Sequence, residues 1–225
     1  MEIVVAKNIL NANEQIAATN RAHFDAARTL VLNMVGSPGG GKTTWLEQIL
    51  ARARDAHRLA VIQGDLATSI DAERIEALGV PAIQINTGQG CHLEARMIAE
   101  ALPRFDLPNT DILFIENVGN LVCTAGYALG EHLRIVVLSV TEGDDKIAKY
   151  PPIFHGADLV LLNKIDLLPF TNFNLDKART QLQQLRPGLP ILTVSARTGE
   201  GIDACLDWLA RQRQQMRNGP AGTRD

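Results

Sequence analysis

The 225-residue chain contains three cysteines, and aromatic residues make up only 4% of it. Three thiols, an odd number, cannot build a disulfide framework, so the fold must rest on a packed and mainly aliphatic core. Apolar runs such as Ile135-Val-Val-Leu138 fall far short of the roughly 20 residues needed to cross a membrane. The first residues, Met1 to Lys7, lack the charged region, apolar core and cleavage site of a secretory signal. Neither sign of charge dominates: 22 Lys plus Arg stand against 25 Asp plus Glu. That argues against a nucleic-acid-coating surface. There is no Pro/Gly/Ser-rich linker, no internal repeat and no low-complexity block. These absences point to a reduced, cytoplasmic chain with no nucleic-acid and no membrane partner, whose thiols are open to metal chemistry.

What is present has a regular rhythm. Short apolar runs at Leu30–Val35, Leu59–Gln63, Ala82–Asn86, Ile112–Ile115, Ile135–Val140, Leu159–Leu162 and Ile191–Val194 read as strands buried on both faces. Helical spacing is expected at Thr43–Arg58, Thr68–Leu78, His92–Ala101, Asn174–Leu185 and Gly201–Met216, with Asn174 as an N-cap. Alternating strands and helices specify an α/β fold with a mostly parallel central sheet flanked by helices. Residues 1–29 are expected to form a helical extension, 30–210 the main domain, and 211–225 a flexible tail.

After the first strand comes Gly36-Ser-Pro-Gly-Gly-Gly41-Lys42-Thr43-Thr44, which fills every position of G-x-x-x-x-G-K-[ST] between a strand and a helix. In such a P-loop, the backbone of Gly36, Ser37, Gly39, Gly40 and Gly41 curls around phosphate, helped by the helix N-terminus. Lys42 reaches the β- and γ-phosphates, the Thr43 hydroxyl ligates Mg²⁺, and Thr44 completes the motif. The chain is therefore expected to be a P-loop NTPase.

The sixth strand ends in Asn163-Lys164-Ile165-Asp166, similar to the guanine-reading N-K-x-D of GTPases. An acid at Asp166 accepts from both N–H groups of guanine's Watson–Crick edge, a pair adenine cannot offer. Asn163 is assigned to the base and the stem of Lys164 to its plane. Ser195-Ala196-Arg197 looks like the S-A-[KR] element that also touches guanine. These features favour GTP/GDP over ATP. The fourth strand leads into Glu116-Asn-Val-Gly119, where GTPases usually carry D-x-x-G; Glu116 is expected at Mg²⁺ and the Gly119 N–H at the γ-phosphate. Asp65, at the end of the second strand, is assigned to Mg²⁺ or the attacking water, or else caps a helix beginning near Ala67. Lys42, Asp65 and Glu116 are thus the expected catalytic set. Asn120 stands where many signalling GTPases place a water-orienting Gln, and no catalytic arginine is evident, so slow intrinsic hydrolysis is expected.

Cys91 and His92 are adjacent where the third strand gives way to a helix, and Cys123 follows Gly119 by four residues. Two sulfurs and a nitrogen suit Zn²⁺ or Ni²⁺, although spacing alone leaves a structural role open. Cys205 lies on an apolar helical stripe and reads as core. His23, His57, His132 and His155 read as surface or satisfied polar residues.

Taken together, Gly36-Ser-Pro-Gly…Gly-Lys-Thr-Thr44, Gly90-Cys-His-Leu93, Glu116-Asn-Val-Gly-Asn-Leu-Val-Cys123, Val140-Thr-Glu-Gly-Asp-Asp-Lys146, Lys149-Tyr-Pro151 and Asn163-Lys-Ile-Asp166 resemble the HypB-type GTPases of nickel–iron hydrogenase maturation. The resemblance runs from about Asn8 to about Leu209. It implies a SIMIBI-type P-loop fold, GTP-dependent nickel delivery to a hydrogenase large-subunit precursor, cooperation with a HypA-type metallochaperone, and a GTP-favoured homodimer. It also implies that Cys91, His92 and Cys123 form the Ni²⁺ and/or Zn²⁺ site. A urease-type nickel accessory GTPase fits less well, because its metal motif is Cys-Pro-His. A partitioning ATPase is disfavoured by Ser37, where those proteins carry lysine. A metal-buffering protein with negligible turnover is the non-enzymatic alternative. Two departures stand out: Thr124 where the family often has proline, and Asp145-Lys-Ile-Ala-Lys149 in place of Asp-Lys-Pro-Leu-Lys. His23 is the only histidine before the P-loop, and no cysteine precedes it, so high-capacity nickel storage is not expected.

Overall fold

The computed structural model describes residues 4–65 and 74–218. The seven apolar runs become strands β1 (Leu30–Gly36), β2 (Leu59–Asp65), β3 (Ala82–Asn86), β4 (Ile112–Glu116), β5 (Leu133–Ser139), β6 (Leu159–Asn163) and β7 (Ile191–Val194). They pair in parallel in the order β3-β2-β4-β1-β5-β6-β7, with Leu30 opposite Ile112 and Leu32 opposite Leu133. The expected parallel sheet is therefore present. Every chemically marked loop leaves its C-terminal edge, where ligands bind in open α/β sheets.

Strand β1 is buried along its whole length because helices cover both faces. Leu32 and Met34 pack with Trp45 and Ile49 of α2 (Lys42–Ala53) and with Ile202 and Trp208 of α7 (Ile202–Asn218). On the other face Val31 meets Phe24 of α1 (Val4–Ala27) and Ile98 of α3 (Ala95–Ala101). Val35 and Val136 join Ala178 and Leu182 of α6 (Leu175–Leu185). Short helices α4 (Lys146–Lys149) and α5 (Pro151–His155) lie between β5 and β6. Each fully buried Leu, Ile or Val contributes roughly 1.5–3 kcal/mol, so these layers supply what disulfides do elsewhere.

Helix ends depart from the sequence reading for identifiable reasons. Helix α2 stops at Ala53 rather than Arg58: the chain closes in a turn, with the Ala56 and His57 N–H groups both donating to the Ala53 carbonyl, and the Arg58 N–H is then held by the Asp111 carboxylate at 3.0 Å. Helix α3 starts at Ala95, not His92: the Leu93 N–H donates to Asn117 Oδ1 and the Ala95 N–H to Asn13 Oδ1, so Cys91 and His92 lie in a loop. The segment after Arg211, expected to be loose, continues as helix to Asn218, with Arg213 donating to Asp111 and to the Arg28 carbonyl. Asn174 caps α6 as expected, accepting from the Lys177 N–H at 2.9 Å. The helix expected at Thr68–Leu78 lies largely outside the described residues, as do residues 219–225.

Helix α1 is tied down by its asparagines, residues with poor intrinsic helix propensity. Asn20 is 1% exposed and donates to both the Ala95 and Leu129 carbonyls, while Asn13 donates to the Ala128 carbonyl. The helix thereby grips both the segment after His92 and the segment after Cys123.

Candidate functional site

The loop Gly36–Thr44 joins β1 to α2 at the point where the sheet order reverses, with β4 on one side and β5 on the other. It opens onto a cleft of about 410 Å³ lined by Gly39, Gly41, Lys42, Thr43, Thr44, Asp65, Glu116, Gly119 and Lys164. Gly36, Ser37 and Gly40 complete the loop. The Lys42 ammonium turns inward, donating to the Gly36 and Ser37 carbonyls at 3.2 and 3.1 Å. Gly41 takes a left-handed φ of +92°, and a Cβ there would lie 2.4 Å from Asn163 Nδ2. Only glycine admits α2 at that point.

The wall opposite the loop is carboxylate. Glu116, 6% exposed, accepts from the Thr43 hydroxyl at 2.7 Å on one oxygen and from Gln63 Nε2 at 3.0 Å on the other. A hydroxyl and a carboxylate oxygen within one hydrogen bond, with Asp65 lining the same cleft, form a hard oxygen donor set suited to Mg²⁺. The Asp65 carbonyl accepts from the Thr87 N–H at 2.9 Å; the helix-capping alternative for Asp65 falls outside the described residues. Gly119 touches the P-loop so closely that a Cβ would sit 2.8 Å from Pro38 Cα.

The two guanine-type motifs meet. Ser195 Oγ donates to Asp166 at 2.6 Å, and Asn163 Oδ1 accepts from the N–H groups of Lys164 and Ala196. Asn163 Nδ2 donates to the Gly40 carbonyl at 2.9 Å, and Lys164 Nζ to the Gly39 carbonyl at 2.6 Å. Asn163, assigned from sequence to the base, is 1% exposed and spends its amide on backbone. It holds the base-side loops against the P-loop. Asp166 remains half-buried.

The ligating atoms of Cys91, His92 and Cys123 lie within 4.8 Å of one another. Cys91 Sγ is 3.5 Å from His92 Nδ1, and the Tyr127 ring covers the imidazole with centroids 3.8 Å apart. His92 Nε2 is buried with no hydrogen-bond partner. An imidazole with an orphaned buried nitrogen, clustered with two thiols, is a donor set that suits a soft or borderline metal ion. Burial lowers the His92 pKa, opposed by Glu94, which favours the neutral imidazole that a metal ion needs. The hydrogen bond to Cys123, then burial, raises Cys91 above the ordinary thiol value. Cys205 is fully buried, with burial pushing its pKa to about 11, and stays in the core as expected. His132, too, is a satisfied polar residue: Nδ1 accepts from the Val31 N–H and Nε2 donates to Asp25.

Several residues at these sites carried no signal in the sequence. Gln63 orients Glu116, Tyr127 covers His92, and Arg74 lines the nucleotide cleft while pairing with Glu47 at 2.6 Å. Asn120, compared above with a water-orienting Gln, accepts on Oδ1 from the N–H groups of Val122 and Cys123. Thr124, in place of the family's proline, closes the same turn by donating to the Asn120 carbonyl at 2.7 Å.

Residues 30–193 match the family described as CobW/HypB/UreG, nucleotide-binding domain. The hydrogenase maturation factor HypB of Escherichia coli K12 is 53% identical over 206 residues, covering 92% of this chain and 71% of that protein. A probable hydrogenase maturation factor HypB of Methanocaldococcus jannaschii is 38% identical over 213 residues, covering 95% and 96%. The crystal structure of HypB from Helicobacter pylori in complex with nickel superposes with a TM-score of 0.87 at 39% identity, covering 95% of this chain and 99% of that one. The architecture is that of the SIMIBI-type P-loop NTPases. With a nucleotide cleft and a thiol–imidazole cluster on one sheet edge, and likeness at this level along most of its length, the chain belongs to the CobW/HypB/UreG family, in its HypB branch of hydrogenase maturation factors.

Proposed function

We propose that this chain is a GTP-binding and GTP-hydrolysing metallochaperone that helps insert nickel into the precursor of a [NiFe]-hydrogenase large subunit. Lys42 and the backbone from Gly36 to Thr44, with Gly119, hold the phosphates. Thr43, Glu116 and Asp65 hold Mg²⁺, which supplies charge stabilisation at the transferring phosphoryl group. Asp166, with Lys164, Ser195 and Ala196, reads guanine, and Asn163 keeps that reader in register with the P-loop. Cys91, His92 and Cys123 carry Ni²⁺ as cargo, or Zn²⁺ in its place. The work takes place in the cytoplasm, with a HypA-type metallochaperone as partner, and nucleotide state is coupled both to the Cys/His metal site and to dimerisation, GTP favouring a homodimer.

The observation that carries this reading is the shared segment. Glu116 faces the Mg²⁺ donors at one end and Cys123 faces the cargo ligands seven residues later. The nickel held by the Helicobacter pylori relative supports the same cargo here. Single-turnover and steady-state hydrolysis of GTP and ATP test the nucleotide part. Wild type is expected to convert GTP and water to GDP and phosphate slowly, with ATP disfavoured and Lys42→Ala inactive. A wild-type rate equal to that of Lys42→Ala would leave a metal-binding protein without turnover. Asp166→Asn replaces one acceptor by a donor and is expected to weaken GDP binding roughly 10- to 100-fold while improving the xanthine nucleotide, which presents a carbonyl at that edge.

A further inference from the structure

The two arms of the thiol–imidazole cluster are fastened to different parts of the nucleotide site. On the first arm, the Leu93 N–H, next to His92, donates to Asn117 Oδ1 at 3.0 Å. Asn117 is 1% exposed, and its own N–H is bonded to the Met34 carbonyl in β1. Cys91 and His92 are therefore referenced to the sheet. On the second arm the reference is the P-loop. The Asn120 N–H donates to the Gly36 carbonyl at 3.0 Å, forming an isolated antiparallel bridge. The Asn120 side chain then accepts from the Val122 and Cys123 N–H groups at 2.7 and 3.1 Å, and its carbonyl accepts from the Thr124 hydroxyl. Gly119, the residue before it, rests directly on Pro38.

We propose that Asn120 is the positioning residue through which nucleotide state reaches the metal ligands. The proposal rests on the coupled-site function above and names the connection. A rearrangement of Gly36, Pro38 and Gly119 around the γ-phosphate moves the Asn120 backbone. Its side chain transmits that movement to the Cys123 amide, while Asn117 keeps Cys91 and His92 with the sheet. The distance from Cys123 to the other two ligands then changes, and with it metal affinity. By linkage, metal must change affinity for the triphosphate by the same factor.

The test compares wild type, Asn120→Ala and Asn120→Asp. Ni²⁺ affinity is measured with Mg²⁺-GDP and with a non-hydrolysable Mg²⁺-GTP analogue, and analogue affinity with and without Ni²⁺. Asn120→Asp keeps the acceptor and is expected to retain the wild-type ratio of affinities. Asn120→Ala loses the acceptor and is expected to shrink that ratio by about 2- to 30-fold, with GDP affinity within about twofold of wild type. Should the alanine variant fail to fold, Thr124→Val, which removes only the bond to the Asn120 carbonyl, is expected to shrink the ratio in the same sense. An undiminished ratio in folded Asn120→Ala, or in Thr124→Val where the alanine variant does not fold, overturns the assignment of Asn120 alone. A loss in Asn120→Asp equal to that in the alanine variant does the same. A wild-type ratio of one overturns the coupled-site reading and the proposal with it.

Discussion

The Thr43 hydroxyl donates to Glu116 at 2.7 Å, joining the first turn after the P-loop to the end of β4. A fully formed P-loop thus meets an acid one carbon longer than the usual aspartate, and Gln63 steadies that longer side chain from behind at 3.0 Å. Replacing Glu116 by Gln preserves shape and removes the charge. Hydrolysis is expected to fall roughly 10²-fold, and GDP affinity to lose its dependence on Mg²⁺. Titrating a fluorescent GDP analogue with and without Mg²⁺ checks the second effect independently of turnover.

Thiol assignments separate cleanly. Cys123→Ser replaces a soft ligand by a hard one and is expected to lower Ni²⁺ affinity at least about tenfold, leaving the thermal midpoint nearly unchanged. Cys205→Ser puts a hydroxyl into a fully buried site against Trp45 and Ile202. It is expected to cost about 1–3 kcal/mol of stability and to leave Ni²⁺ binding intact. Parallel metal titrations and denaturant unfolding of the two variants give opposite patterns.

Helix α1 acts on stability through Asn20. Truncation to Ala removes two buried hydrogen bonds, those to the Ala95 and Leu129 carbonyls, at a cost of about 1–3 kcal/mol. Urea midpoints should register it. Thr19→Ala, which removes only an exposed bond to the Gln15 carbonyl in the same helix, is expected to stay within about 0.5 kcal/mol of wild type.

Acid sensitivity traces to Asp111. Hydrogen bonds from Arg58, aided by Arg213 and opposed by burial, hold its carboxyl well below the ordinary carboxylate range. A depressed folded pKa contributes stability that is complete above the unfolded value, about 4, and is lost as pH falls from there toward the folded value. Wild type is therefore expected to exceed Asp111→Asn by a constant margin between about pH 5 and 8, with the margin shrinking below about pH 4. Urea unfolding across that range measures it.

Much of this was legible in the chain itself, because buried parallel strands and glycine loops leave local marks. Leu30, Val31, Leu32, Met34 and Val35, apolar on alternate faces, announce a strand covered on both sides, and Gly36–Thr44 a phosphate cradle, from residues close together in sequence. The thiol–imidazole cluster was half legible: Cys91-His92 and Cys123 were recognisable as ligand types, but their meeting depends on β3 and β4 ending at one sheet edge. Least legible were the asparagines. Asn13, Asn20, Asn117 and Asn120 look like ordinary polar residues until the partner carbonyls and amides, up to 115 positions away, are brought to them. The same distant contacts explain the misplaced start of α3, where Asn117 and Asn13 take the Leu93 and Ala95 N–H groups.

In the proposed function, nucleotide and cargo sites act as one coupled unit. Calorimetric titration of Ni²⁺ into the wild-type protein, loaded first with Mg²⁺-GDP and then with a non-hydrolysable Mg²⁺-GTP analogue, tests it most directly. Affinities differing by about fivefold or more, and absent in Cys91→Ser, are the expected result. Equal affinities in the two states would mean that the two sites are independent.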